Sequence, residues 1–262
     1  MTIRGIQRLD RVGGARRDVA GDGGGGAGPW GRPIEGEGSA PRHEPALNVP
    51  WPVILLIGML VLAHLARIGL GIGPDRFALT GQDVATGRWI GLVSHLFVHG
   101  SWAHLFMNSV FVLAFGTPVS RFLGGHSRGA LAFLAFFIAC GVIAALAYAG
   151  LDQGLEAVGF GPGRQWAIIG ASGAASGLFG AAARLIQGKG RLGALWGPTV
   201  VGFAVAWILL NAILGLSGLT PGAAGAPVAW EAHIFGFFAG LVLIGPFARL
   251  AGLDPAIAFT KR

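Results

Sequence analysis

Residues 166–187 read WAIIGASGAASGLFGAAARLIQ, a run of 22 positions with a single charge, Arg184. A helix needs about 20 mostly apolar residues to cross a bilayer. The run is therefore read as a membrane span. It is unusual in being built from Gly, Ala and Ser, and in holding Ser172 about seven residues, roughly 10 Å at the helical rise, from its start. A polar side chain inside a span is costly and marks function by default.

Working outward, five further runs have the same character: 51–70, 103–123, 130–150, 195–216 and 230–250. Each is bounded by Gly, Pro or charge. The whole chain agrees, with 53% hydrophobic and only 12% charged residues against about 25% charged in a soluble domain. Between the first two runs, residues 71–102 are too polar to span and too apolar for an ordinary linker. An interfacial or re-entrant element suits them. The expectation is an all-α membrane protein, a bundle of six transmembrane helices over 50–252 with a long interfacial loop between helices 1 and 2.

Residues 1–49 differ. They hold Gly23-Gly24-Gly25-Gly26, seven arginines and six acids. Such a segment buries too little apolar surface to offset its ordering entropy, and it reads as a disordered tail. Residues 253–262 read as a short C-terminal tail. The first apolar run starts too late for a cleavable signal peptide and reads as an uncleaved signal anchor.

The formal charge of +7 does not point to nucleic acid, because the basic residues are spread between the apolar runs. Arg121, Arg128, Arg184, Lys189, Arg191, Arg249, Lys261 and Arg262 fall on one side; Arg67, Arg76, Arg88 and Arg164 fall on the other. The bias puts both termini on the inner, cytoplasmic side. Arg, Ala and Gly richness suggests a bacterial plasma membrane. Cys140 is the only cysteine, so no intramolecular disulfide forms.

Polar residues converge near the outer ends of three runs. His104 and Asn108 are four apart and share one helix face. His233 lies close to the outer end of the last run. Gly173 and Gly177 form one GxxxG pair, and Gly236 and Gly240 another on the face of His233. Small residues at this spacing let helix backbones approach closely. Packing of the fourth and sixth runs through these glycines would bring Ser172 to His233. A serine hydroxyl becomes a nucleophile only when an adjacent base takes its proton, and histidine is the usual base. His104, Asn108 and the Ser172 amide are candidate donors to an oxyanion. No carboxylate stands at a depth to orient His233, since Glu231 faces elsewhere. The reading is a Ser–His dyad. Ser176, one turn deeper, is the alternative nucleophile. His95, His99 and His104 have no carboxylate or thiolate beside them and are not read as metal ligands. No cofactor is called for.

Four blocks together resemble the rhomboid family of intramembrane serine proteases, over residues 75–250. His95-Leu96-Phe97-Val98-His99-Gly100-Ser101-Trp102-Ala103-His104-Leu105-Phe106-Met107-Asn108 resembles its histidine-rich loop leading into HxxxN. Phe115-Gly116 through Leu123-Gly124 resembles the end of its second helix. Gly170-Ala171-Ser172-Gly173 is similar to its GxSG motif, and Ala232-His233 with Gly236 and Gly240 to its AHxxGxxxG motif. The resemblance implies six helices around a water-filled cavity, a short central fourth helix, Ser172 as nucleophile and His233 as proton shuttle. It implies an oxyanion hole of His104, Asn108 and the Ser172 amide, with Gly170, Gly173, His95, His99, Gly236 and Gly240 in support. It implies single-span membrane proteins as substrates, cleaved near the outer end of their span.

Three positions depart from the family pattern. Ser176 stands where an aromatic is common, Ser120 where Glu is common, and Gly91 where Arg often follows Trp; Arg88-Trp89 is the neighbouring candidate to compensate. A catalytically silent relative that binds membrane helices is the nearest rival reading. A small transporter is the rival from another class, but no internal repeat is visible.

Overall fold

A computed structural model describes residues 48–160, 166–218 and 228–254. The expected N-terminal tail, but for residues 48 and 49, lies outside the described residues, as do Arg164 and residues 255–262.

Helix α1 (Trp51–Gly69) enters behind Pro50, with Pro52 in its first turn, where a missing N–H costs nothing. The loop that follows is ordered. It contains a 3₁₀ turn at Pro74–Phe77, strand β1 (Leu79–Thr80), helix α2 (Gly81–Thr86), helix α3 (Gly91–Ser94) and a second 3₁₀ turn at His95–Phe97. Thr80 and Asp83 cap α2 reciprocally, each side chain accepting from the other's N–H, and Gly87 ends it in the left-handed conformation. Arg88 Nε also donates to Asp83. Burial works against the Asp83 carboxylate, but the hydrogen bonds from Arg88 and Thr80 outweigh it and hold its pKa below the usual carboxylate range.

Helix α4 (Trp102–Leu123) starts at Ser101, whose side chain accepts from His104 N–H. Helix α5 (Ser127–Ala157) runs for 31 residues, longer at both ends than the apolar run 130–150. Helix α6 (Ser172–Gln187), helix α7 (Pro198–Ser217) and helix α8 (Trp230–Leu250) complete the bundle. Among the described residues, five helices are long and apolar enough to cross a membrane: α1, α4, α5, α7 and α8.

The run 166–187 is not one helix. Its first residues are extended: Ala167–Ile168 forms strand β2, which pairs antiparallel with β1, Leu79 opposite Ile168 and Thr80 opposite Ala167. Gly170, at φ +104°, then turns the chain. Helix α6 begins at Ser172 and has 16 residues, about 24 Å at the helical rise. Ser172 is thus the first residue of its helix, not a position two turns inside it. The sheet pairing and the glycine turn override the apolar pattern.

This short helix is the centre of the bundle. Every residue from Ala174 to Leu185 is buried. Helices α4, α5, α7 and α8 surround it. The closest packing is against α8, and glycine allows it. A Cβ on Gly236 would overlap the carbonyl oxygen of Gly173; one on Gly240 would overlap that of Gly177. A Cβ on Gly180 would meet the carbonyl oxygen of Phe237. Arg184, 8% exposed, ties the far end of this pair together. Its guanidinium donates to Leu241 O at 2.8 Å and twice to Gly193 O, at 3.0 and 2.9 Å. By contrast α7 buries only Val200 and Asn211, and side chains such as Leu209 and Ile213 point outward.

Candidate active site

Ser172 and His233 meet across the α6–α8 contact. Ser172 Oγ and His233 Nε2 lie 2.8 Å apart. Both side chains are half-buried and open onto one cavity of about 560 Å³, which His104, Asn108 and Gly170 also line. Two features place the hydroxyl. The turn at Gly170 delivers the chain into α6, and the glycine contacts beneath set the separation of the two backbones.

Gly170 has a second reason to lack a side chain. A Cβ there would stand 2.6 Å from His104 Nε2. Its N–H donates to His95 O at 2.8 Å, so the turn before Ser172 is pinned to the histidine-bearing loop. His95 is itself buried, with Nδ1 2.8 Å from Gly91 O. A carbonyl only accepts, so Nδ1 carries the proton and donates to it, and burial lowers the ring's pKa. Gly91, the departure from the family pattern, packs where a Cβ would come within 2.6 Å of Ala78 O. Arg88 is engaged with Asp83, and Trp89 is half exposed.

Of the expected oxyanion donors, His104 and Asn108 reach the cavity from α4. Asn108 Nδ2 donates to His104 O at 3.1 Å, which uses one of its two hydrogens. The Ser172 N–H belongs to the first turn of α6, where backbone donors lack intrahelical acceptors. His99 is fully buried behind His104, their ring centroids 5.1 Å apart at 75°. Its carbonyl accepts from Arg67. Burial, then the neighbouring His104 and His64, push the His99 pKa down to about 3.

Ser176 also borders the cavity, but its hydroxyl is bonded within its own helix and not to His233. Its Oγ donates to Ser172 O at 2.7 Å, the common back-bond of a helical serine. Ser120 is buried and its hydroxyl meets no partner among the described residues.

One polar contact lies outside the dyad read from the sequence. His233 Nδ1 is 2.7 Å from Asn211 Oδ1, on α7. The partner is an amide, whereas the expectation from sequence names only a carboxylate as a group to orient His233. The available signal was the one side-chain amide in the apolar run 195–216.

A family model described as the Rhomboid domain matches residues 86–249. None of the curated proteins compared with the chain matches it. The matched stretch holds the four sequence blocks and, around the cavity, Ser172, His233, His104, Asn108 and Asn211. This membrane-spanning helical chain belongs to the rhomboid family.

Proposed function

We propose that the chain is an intramembrane serine endopeptidase, and that the 2.8 Å contact between Ser172 Oγ and His233 Nε2 is its reacting pair. His233 Nε2 takes the proton as Ser172 Oγ attacks a peptide carbonyl. The oxyanion that forms is met by the Ser172 N–H, His104 and the free hydrogen of Asn108 Nδ2. His233 then gives its proton to the leaving amine, and an acyl-enzyme remains. Water, activated by His233, hydrolyses the ester and restores the serine.

The substrates that fit are single-span membrane proteins. A helix in lipid has all its backbone groups satisfied, so it must be locally unwound before its carbonyls are open to attack. A half-open cavity offering polar donors supports that exchange. The positive-residue bias supports cytoplasmic termini, the family likeness supports cleavage near the outer end of the substrate span, and the Arg, Ala and Gly richness supports a bacterial plasma membrane. A silent, helix-binding relative would have no use for a serine and histidine at hydrogen-bonding distance, and the intact pair argues against it.

The test is cleavage of a generic single-span substrate by the purified full chain, beside Ser172→Ala and His233→Ala. Cleavage by the parent and by neither variant is expected. Cleavage that survives Ser172→Ala sinks the reading.

A further inference from the structure

Asn211 is buried in α7, a helix whose one other buried residue is Val200. Burying an amide in a span is costly unless its groups are satisfied, and here both ends are. Nδ2 lies 2.9 Å from Trp207 O, and Oδ1 lies 2.7 Å from His233 Nδ1. The assignment of the two ends follows from chemistry. A peptide carbonyl only accepts, so the amide end facing Trp207 O must be the NH₂. Oδ1 therefore faces His233, and it too only accepts. With a neutral ring, Nδ1 must carry the proton. Nε2 is then left with its lone pair pointing at Ser172 Oγ. Trp207 adds a weak second tie, its Nε1 donating to His233 O at 3.4 Å.

Among the described residues, the side chains hydrogen-bonded to the ring are Ser172 at Nε2 and Asn211 at Nδ1. Among the same residues, the aromatic ring paired with His233 is Trp207, at 6.5 Å between centroids and tilted by 36°, near the outer limit of ring–ring contact, so it is a weak restraint beside the 2.7 Å bond to Asn211. Ser176 offers no ring face and spends its hydroxyl on Ser172 O.

We propose that Asn211 is the positioning residue of His233: it selects the tautomer protonated on Nδ1 and fixes the ring so that Nε2 receives the Ser172 proton. This rests on the Ser172–His233 reading above. When Ser172 loses its proton to Nε2, the new imidazolium keeps its Nδ1–H···Oδ1 bond, and the amide dipole stabilises the charge. No proton passes to Asn211. Asn211 thus fills the orienting place of a third member, with a neutral amide in place of a carboxylate.

Two measurements on the purified full chain test this without a cognate substrate. The first is the labelling rate of Ser172 by a fluorophosphonate, which reads nucleophile activation. The second is the ¹⁵N spectrum of histidine-labelled protein, with the His233 signals identified by their loss in His233→Gln. In the parent, His233 is expected as the Nδ1-protonated tautomer. Asn211→Leu is expected to populate the Nε2-protonated tautomer. Its labelling rate at saturating probe should fall by ~10-fold or more, part of the ~100- to 10,000-fold that a positioned base supplies. The half-saturating probe concentration should stay near the parent's. Asn211→Asp keeps an acceptor and should recover most of the rate and the parent tautomer.

Parent-like tautomer and rate in Asn211→Leu overturn the positioning role, as does a rate loss that Asn211→Asp fails to recover. If the parent is not labelled at Ser172, or labelling persists in His233→Gln at the parent rate, the dyad itself fails and the positioning role falls with it. Loss of labelling in His233→Gln alongside full labelling in Asn211→Leu defeats the positioning role alone.

Discussion

The carbonyl oxygen of Gly173 occupies the space that any side chain on Gly236 would need. Backbone, not a flexible side chain, is what such a group would strike, so the helices themselves would have to part. Gly236→Ala is expected to destabilise the protein by about 1–3 kcal/mol or more, as overpacking of a dense core does. It should also lower activity, because Ser172 and His233 lie directly above. Gly202 on α7 has open space at its Cβ, and Gly202→Ala should leave stability unchanged or slightly raised. Unfolding midpoints in detergent check both; equal midpoints for the two variants would contradict the packing account.

Arg184 gives the opposite end of the α6–α8 pair its polar clamp. Arg184→Met fills similar space but strands the carbonyl of Gly193 and removes the second bond to that of Leu241, which keeps its place in the α8 ladder. A cost of ~1–3 kcal/mol for the Gly193 carbonyl left without a donor is expected. Arg184→Lys, with one donor group in place of the planar fork, should fall between. Chemical denaturation of the three proteins would reveal the order; a parent-like Met variant would show that the clamp is idle.

His99 links stability to pH. Its pKa in the fold is about 3, against 6.5 in an unfolded chain. Between those values the unfolded state binds the extra proton, so this residue's contribution is complete above pH 6.5 and is lost as pH falls towards 3. The slope from this one residue is at most ~1.4 kcal/mol per pH unit. His99→Gln should show a shallower drop in unfolding midpoint between pH 7 and pH 5 than the parent. Parallel curves would mean that His99 titrates in the fold as it does in the unfolded chain.

Ser176 and Ser172 sit in like sequence surroundings, yet only Ser172 reaches His233. Ser176→Ala removes a back-bond worth about 0.5–1.5 kcal/mol and should keep cleavage within a few-fold of the parent. Abolished cleavage in a folded Ser176→Ala protein would shift the nucleophile to that residue.

The helices were legible because bilayer chemistry writes them as long apolar runs; residues 230–250 coincide with α8. The meeting of Ser172 and His233 was legible too, since glycine at i and i+4 on both helices leaves few ways to pack them. What escaped were features set by partners distant in sequence. Ala167–Ile168 looks like the start of a helix until β1 pairs with it. Asn211 carries no periodic signal, and its importance appears only when α7 is laid beside His233. Ser120 matched no expectation, and nothing in the structure explains its buried hydroxyl.

Helix α6 is about 6 Å shorter than a hydrocarbon layer of roughly 30 Å, and protein rather than lipid surrounds it. Acyl chains press on outward-facing helices such as α1 and α7, so a thicker or thinner membrane bears on the rim of the bundle while its hub keeps its own length. Changing lipid chain length should therefore alter which bond of a spanning polypeptide comes level with Ser172, and leave the distance between hydroxyl and imidazole as it is.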